Sequence, residues 1–172
     1  MLTKLAVRAA PSVLWCYKKD LYLSSHRKKR IRQTQKLAER GLLEETSKDP
    51  FALFVSSANI RYCYYSETHR VLGNTYGMLV LQDFEALTPN ILARTIETVE
   101  GGGLVVLLLS SMASLTQLYG LSMDVHARLR TEAHAQVVPR FNERMVLSLA
   151  ASPCVLLTDD ELNILPTSSH AR

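Results

Sequence analysis

The stretch Tyr76–Ser110, YGMLVLQDFEALTPNILARTIETVEGGGLVVLLLS, constrains the fold of this chain more than any other. Met78 to Leu81 is an apolar run without polar alternation, and Leu104 to Leu109 is a second one. Between them Thr88 and Pro89 mark a helix start. A threonine hydroxyl can accept from the free N–H groups of a first turn, and proline fits the first helical position. Leu92, Ile96 and Val99 then fall on one helical face, with Ile91 and Thr95 beside them. Gly101-Gly102-Gly103 read as a tight turn that stops the helix. Strands apolar on both sides must be covered on both faces, so this strand–helix–strand order predicts a βαβ unit in a parallel sheet.

The flanking sequence extends the alternation. Val13–Tyr17 and Ile60–Tyr65 are rich in strand formers, and Val155–Leu157 is a further short strand with Asn163–Pro166 as its return. Ser24-Ser25 opens a helix running to about Arg40, closed by Gly41, and Asp49-Pro50 opens another over Phe51–Val55. Ser66-Glu67 starts a short helix ending at Gly73-Asn74. Pro139 starts one in which Phe141, Met145 and Leu149 line a face, and Pro153 closes it. The expectation is an α/β three-layer sandwich with four or five mostly parallel strands, flavodoxin- or Rossmann-like. Residues 11–166 form this domain, 1–10 an atypical start and 167–172 a frayed tail.

At 172 residues a sizeable single core is within reach. No apolar run approaches the roughly 20 residues of a membrane span, so no membrane partner is expected. Cys16, Cys63 and Cys154 lack CxxC spacing and sit in apolar or aromatic runs, which predicts buried free thiols. The five histidines have no metal-ligand spacing, and no metal site is expected. There is no GxSxG elbow and no GxxxxGK[ST] phosphate loop. The triple glycine does not substitute for one. A phosphate cradle follows a strand and precedes a helix, and here the order is reversed.

Ligands of such sheets bind beyond the carboxyl ends of the strands. The residues expected there are Lys18-Lys19, Tyr64-Tyr65, Asp83-Phe84-Glu85, Ser110-Ser111 and Asp159-Asp160. Asp83 and Glu85 form a possible strand-end pair for a metal or a general base. The plainer use of such residues is to satisfy backbone N–H groups of the loop. A magnesium-dependent receiver-like site at Asp83 is a structural rival, but Lys18-Lys19 end the first strand where acids would be wanted.

Charge is distributed unevenly. Tyr17 to Arg40 holds nine Lys/Arg against Asp20 and Glu39, whereas the rest holds eleven basic and fourteen acidic residues. The positive character is one segment, 24–40, on a slightly acidic body, and such a patch points to an anionic partner. Arg27, Lys28, Lys29, Arg30 and Arg32 are the candidates for phosphate contact, which gives affinity without sequence information. A solvated helix face and a nuclear targeting signal, HRKKR, are alternative uses of the same residues. Trp15, Tyr17 and Tyr22 are candidates for base stacking, although the first two lie in a core strand.

Several segments carry a resemblance: PSVLWCYKKDLYLSSHRKKR, NIRYCYYSETHRVLGNTYGMLVLQDFEALTPNILARTIETVEGGGLVVLLL, MDVHARLRTEAH and RFNERMVLSLA. They resemble the N-terminal region of the eukaryotic, TmcA-like RNA cytidine acetyltransferases. That resemblance implies an N-terminal α/β domain preceding a helicase domain with a P-loop and a GNAT acetyltransferase domain. It implies acetylation of cytidine in 18S ribosomal RNA and transfer RNA, acetyl-CoA and ATP as cofactors of the full-length enzyme, and the nucleus and nucleolus as its location. Its implied partners are rRNA, tRNA, the remaining domains and ribosome-assembly factors. No catalytic residue is carried over, no cofactor is assigned to this chain, and the expectation is a fragment lacking its first strand, inactive alone. Within it the domain serves as a scaffold and RNA-contact module, or alternatively as a protein-interaction module with no direct RNA role.

Overall fold

The structure is a computed structural model that describes residues 11–18, 36, 50–109, 131–133, 135 and 140–165. The chain divides into two compact units, Met1–Leu109 and Ser110–Arg172. Of the expected helix over 24–40 only Lys36, helical and exposed, is among the described residues; Arg27–Arg32 lie outside them, as do Lys19 and Ser110-Ser111.

The first unit is built on four parallel strands: β1 (Ser12–Tyr17), β2 (Asn59–Tyr64), β3 (Tyr76–Leu81) and β4 (Val99–Leu107). Their spatial order is β2-β1-β3-β4. This is the α/β, Rossmann-like arrangement that the continuous apolar runs predict. Val13, Leu14, Cys16, Leu79, Val80 and Leu81 are all buried, as strands covered on both faces require. Helix α1 (Pro50–Ser57) precedes β2, and its Phe51 ring meets the Trp15 indole edge-on at 6.2 Å. A 3-10 helix (Tyr65–Val71) follows β2 and stops at Gly73, whose φ of +80° suits a residue without a side chain. Tyr65 lies beside Cys16, on the opposite face from Trp15, and helix α2 (Pro89–Ile96) packs on this 3-10 helix.

Helix α2 starts where its sequence says it should. Thr88 Oγ1 accepts from the Ile91 N–H at 3.2 Å, and Pro89 occupies the first turn. Its end is different from the expected one. The helix stops at Ile96, and Leu92 and Thr95 are its buried residues, while Ile96 is 44% exposed. Thr95 is tolerated inside because its hydroxyl donates to the Ile91 carbonyl at 2.8 Å. Val99 belongs to β4, not to the helix.

The three glycines also differ from the turn expected of them. They lie inside β4. Pairing runs from Tyr76↔Val99 to Met78↔Leu104, so β4 advances five residues while β3 advances two. The surplus is absorbed as a bulge, with Gly102 at φ +80°. Gly103 makes the closest approach: a Cβ there would meet the Gly77 carbonyl oxygen at 2.7 Å and the Glu100 carbonyl oxygen at 2.9 Å. A triplet of glycines has the same local signature in a turn and in a bulge, and only the partner strand distinguishes them.

The second unit contains helix α3 (Arg140–Ala151), as expected before Pro153. Asn142 and Val146 are its buried residues, and Phe141, Met145 and Leu149 lie half-buried beside them. The expected strand at Val155–Leu157 is absent among the described residues. Leu156 is 67% exposed, and one antiparallel bridge, Thr158↔Ile164, replaces both expected strands. A three-residue apolar run has too few ladder bonds to form a strand unless a neighbour supplies them. Cys154 is exposed, contrary to the burial expected of it, whereas Cys16 and Cys63 are buried.

The bulge separates two otherwise identical substitutions. Gly101 has nothing within 4 Å of its Cβ position. Gly101→Ala should therefore leave the urea midpoint of unfolding nearly unchanged. Gly103→Ala forces backbone apart and should cost about 1–3 kcal/mol, the range of overpacking. Equal midpoints for the two variants would contradict the bulge.

Candidate functional site at the strand ends

The order β2-β1-β3-β4 reverses direction at β1, so the crevice between the carboxyl ends of β1 and β3 is the topological switch point. Backbone groups there have run out of ladder partners and must find others. The Gln82 N–H donates to the Cys16 carbonyl at 3.0 Å, extending the ladder by one step. Asp83 then turns the chain away from the sheet, at φ 56° and ψ 64°, a left-handed conformation that aspartate tolerates better than most residues. This turn brings its carboxylate back over β1, where Oδ2 accepts the Lys18 N–H at 2.9 Å. The Asp83 carbonyl accepts the Ala86 N–H, closing the 3-10 turn Phe84–Ala86 that holds Glu85.

Gln82 and Tyr65 complete the junction. The Trp15 indole N–H donates to Gln82 Oε1 at 3.2 Å. The Tyr65 hydroxyl donates to the Gln82 carbonyl. Tyr65 therefore ties the element after β2 to the end of β3 across the end of β1. Burial pushes the Tyr65 hydroxyl well above the ordinary phenol range, and the negative charges of Asp83 and Glu85 add to the effect. Cys16 and Cys63, register partners on β1 and β2, share the Tyr65 side of the sheet. Burial, reinforced by the neighbouring Cys63, pushes the Cys16 thiol up to about 12. Cys63 is raised as well, again chiefly by burial. These groups stay neutral at physiological pH and are unsuited to nucleophilic work.

Of the strand-end residues read from the sequence, the structure thus gathers Lys18, Tyr65, Asp83 and Glu85 around one crevice, and leaves Tyr64 at the end of β2 against the Tyr17 ring. It gives the Asp83 carboxylate a structural use as acceptor for a strand-end N–H. Sequence inspection offered N–H satisfaction in general but not the partner on β1, sixty-five residues away in the chain. Gln82, missed as a functional residue, joins Trp15 and Tyr65 at this junction; a polar residue ending an apolar run is its only sequence signal. Asp159 belongs to the second unit. Its carboxylate accepts the Glu161 and Asn163 N–H groups at 2.9 and 2.8 Å, and the Asn163 hydrogen bonds hold it below the usual carboxylate range. Among the described residues, no group of three or more His, Cys, Asp or Glu side chains is placed to hold a metal.

Two outcomes are expected. Asp83→Ala loses a charge-assisted hydrogen bond and places alanine in a left-handed turn, and should cost about 2–3 kcal/mol in urea unfolding. Asp83→Asn keeps an acceptor and the turn preference and should cost less; the reverse ranking would overturn the anchoring role. Alkali should also loosen the fold. The folded state keeps protons on Cys16 and Tyr65 that the unfolded chain releases from about pH 9 upward. Their stabilisation is whole below that pH and declines as pH rises toward 12, by at most about 1.4 kcal/mol per pH unit for each group. Urea midpoints at pH 7, 9 and 10.5 test this, and a flat profile would exclude it.

Comparison with known proteins places this architecture. The family model described as tRNA(Met) cytidine acetyltransferase TmcA, N-terminal, matches residues 6–160. The human RNA cytidine acetyltransferase is 67% identical over 170 residues, covering 99% of this chain and 17% of its own length. The Schizosaccharomyces pombe protein of the same name is 62% identical over 169 residues, 98% of this chain and 16% of its own length. The Saccharomyces cerevisiae one is 64% identical over 158 residues, 91% of this chain and 15% of its own length. The chain thus spans about one sixth of the length of the curated relatives it matches. With this coverage of the α/β domain and its carboxyl-end junction, the chain belongs to the TmcA N-terminal family of RNA cytidine acetyltransferases.

Proposed function

We propose that this chain acts as the N-terminal scaffold and RNA-contact module of an RNA cytidine acetyltransferase that modifies cytidine in 18S rRNA and tRNA during ribosome biogenesis. The observation that carries the reading is the surplus of seven positive charges between Tyr17 and Arg40, on a chain whose remainder is net acidic. The relatives are named for action on RNA, whose backbone is a regular array of anions. Arg27, Lys28, Lys29, Arg30 and Arg32 are the proposed phosphate contacts. The chemistry itself, with acetyl-CoA as acetyl donor and ATP consumption, is assigned to the other parts of the longer enzyme. The groups at the switch point support that division: Asp83 is engaged by a backbone N–H, and Cys16 and Tyr65 are held protonated. Nuclear and nucleolar location follows from the same reading.

A second reading rests on β4. Leu104, Val105 and Leu108 are 57%, 38% and 39% exposed on and just beyond this outer strand. Apolar side chains presented along a strand suit a protein partner, such as the enzyme's helicase domain or a ribosome-assembly factor.

RNA affinity measured against salt decides between them. Each lost phosphate contact should reduce the magnitude of the log–log salt slope by roughly 0.7 for a single strand, so alanine at all five basic positions should flatten it by up to roughly 3.5. An unchanged affinity and slope would remove the RNA role and leave the protein-interaction reading.

A further inference from the structure

The face of the sheet that carries Trp15 holds an aromatic cluster of which the junction at the strand ends uses only the Trp15 indole N–H. In a strand, alternate side chains point to opposite faces, so parallel register decides which rings meet. β1 and β2 pair Trp15 with Tyr62 and Tyr17 with Tyr64. The Tyr17 and Tyr64 ring centroids are 4.6 Å apart, and those of Trp15 and Tyr62 are 6.3 Å apart. The inner pair belongs to the core: Tyr17 is buried and Trp15 half-buried. The outer pair does not. Tyr62 and Tyr64 are 38% and 42% exposed on the outer strand.

Core packing accounts for Trp15 and Tyr17 but gives no reason for two large rings at exposed positions beside them. Each outer ring is backed by an inner one, which restricts its motion before any ligand arrives and lowers the ordering cost of binding. Positions two apart on a strand set the rings about 7 Å apart, within reach of neighbouring bases in an extended single strand. Positive charge adjoins this surface. Lys18, exposed, directly follows Tyr17, and in the sequence the five basic residues 27–30 and 32 come after it.

We propose that Tyr62 and Tyr64 form a stacking platform for unpaired bases of single-stranded RNA, with Trp15 and Tyr17 as its backing. The proposal rests on the RNA-contact reading above and deepens it: the basic residues hold the backbone, and the tyrosines select single strands over duplex. Stacking tolerates any base, so affinity for unpaired RNA is gained without sequence readout.

The test uses the full 172-residue chain and three labelled RNAs: a short oligouridylate, the same strand with abasic riboses, and a duplex of equal length. Binding is read by anisotropy at several salt concentrations. The wild type should bind the oligouridylate at least tenfold more tightly than the abasic strand. Tyr62→Ala and Tyr64→Ala should each weaken oligouridylate binding about tenfold, with the salt slope unchanged. The pair Tyr62→Phe and Tyr64→Phe keeps the π-faces and should bind like the wild type. Fluorescence of Trp15, the single tryptophan, should respond to the oligouridylate and not to the abasic strand. Equal wild-type affinity for the base-bearing and abasic strands would overturn the platform, even where an alanine variant fails to fold. If salt-dependent binding persists in that case, the phosphate-contact reading stands alone. If the wild type binds none of the three RNAs, both readings fall together.

Discussion

The parallel pairing of β1 on both of its edges is the constraint on which the rest of the first unit depends. A parallel neighbour cannot be reached by a tight turn, so each pairing demands a crossover through another layer. β1 takes β2 on one side and β3 on the other, so two separate excursions of the chain must return to the same six residues. Burial of Val13, Leu14 and Cys16 fixes that strand in the interior. The switch point is a consequence, because the chain sets β2 on one side of β1 and then returns from β2 to set β3 on the other. So is its polar content. Lys18 has passed the last ladder position and takes its acceptor from Asp83, while the Gln82 carbonyl, beyond β3, accepts the Tyr65 hydroxyl.

That dependence explains what the sequence could and could not reveal. Continuous apolar runs at 13–17 and 78–81 are strong signals because a strand covered on both faces has no freedom to alternate, whereas the run at 104–109 announces the strand through Leu107 but not its burial, since Leu104, Val105 and Leu108 are exposed. Thr88-Pro89 is equally legible, since capping is decided within one turn. The glycine triplet is not. Its role depends on the Gly77 carbonyl of another strand, which closes on Gly103 and leaves no room for a side chain. Val155–Leu157 fails for the related reason that three apolar residues state a preference without naming a partner. Asp83 shows the same limit at the site. A carboxylate after a strand reads as chemistry or as anchorage, and the Lys18 N–H that distinguishes them comes from the opposite side of the switch point.

The buried thiols and the phenol of Tyr65 bear on function through what they cannot readily do. A general base or nucleophile needs its charged form within reach at working pH. Here burial favours the neutral form of Cys16, Cys63 and Tyr65, so their protonated state stabilises the fold instead. The crevice that most Rossmann-like proteins devote to a ligand is, in this chain, crossed by hydrogen bonds that hold strand ends together.

A sheet whose ends are committed and whose inner strands are buried has its outer strands left exposed. The two outer strands differ in what they present. β4 shows aliphatic side chains at Leu104 and Val105, suited to a dry protein contact, whereas β2 shows phenol rings at Tyr62 and Tyr64. Aromatic rings with polar rims function at a wet boundary, where one side packs and the other meets solvent or a ligand. The alternation of β2 enforces the separation. Arg61 projects to the other face, where it donates to the Tyr76 hydroxyl and the Arg70 carbonyl, and Cys63 is buried there beside Cys16. One strand thereby anchors the core with its odd-numbered residues and offers rings with its even-numbered ones, and a shift of register by a single residue would abolish both roles at once.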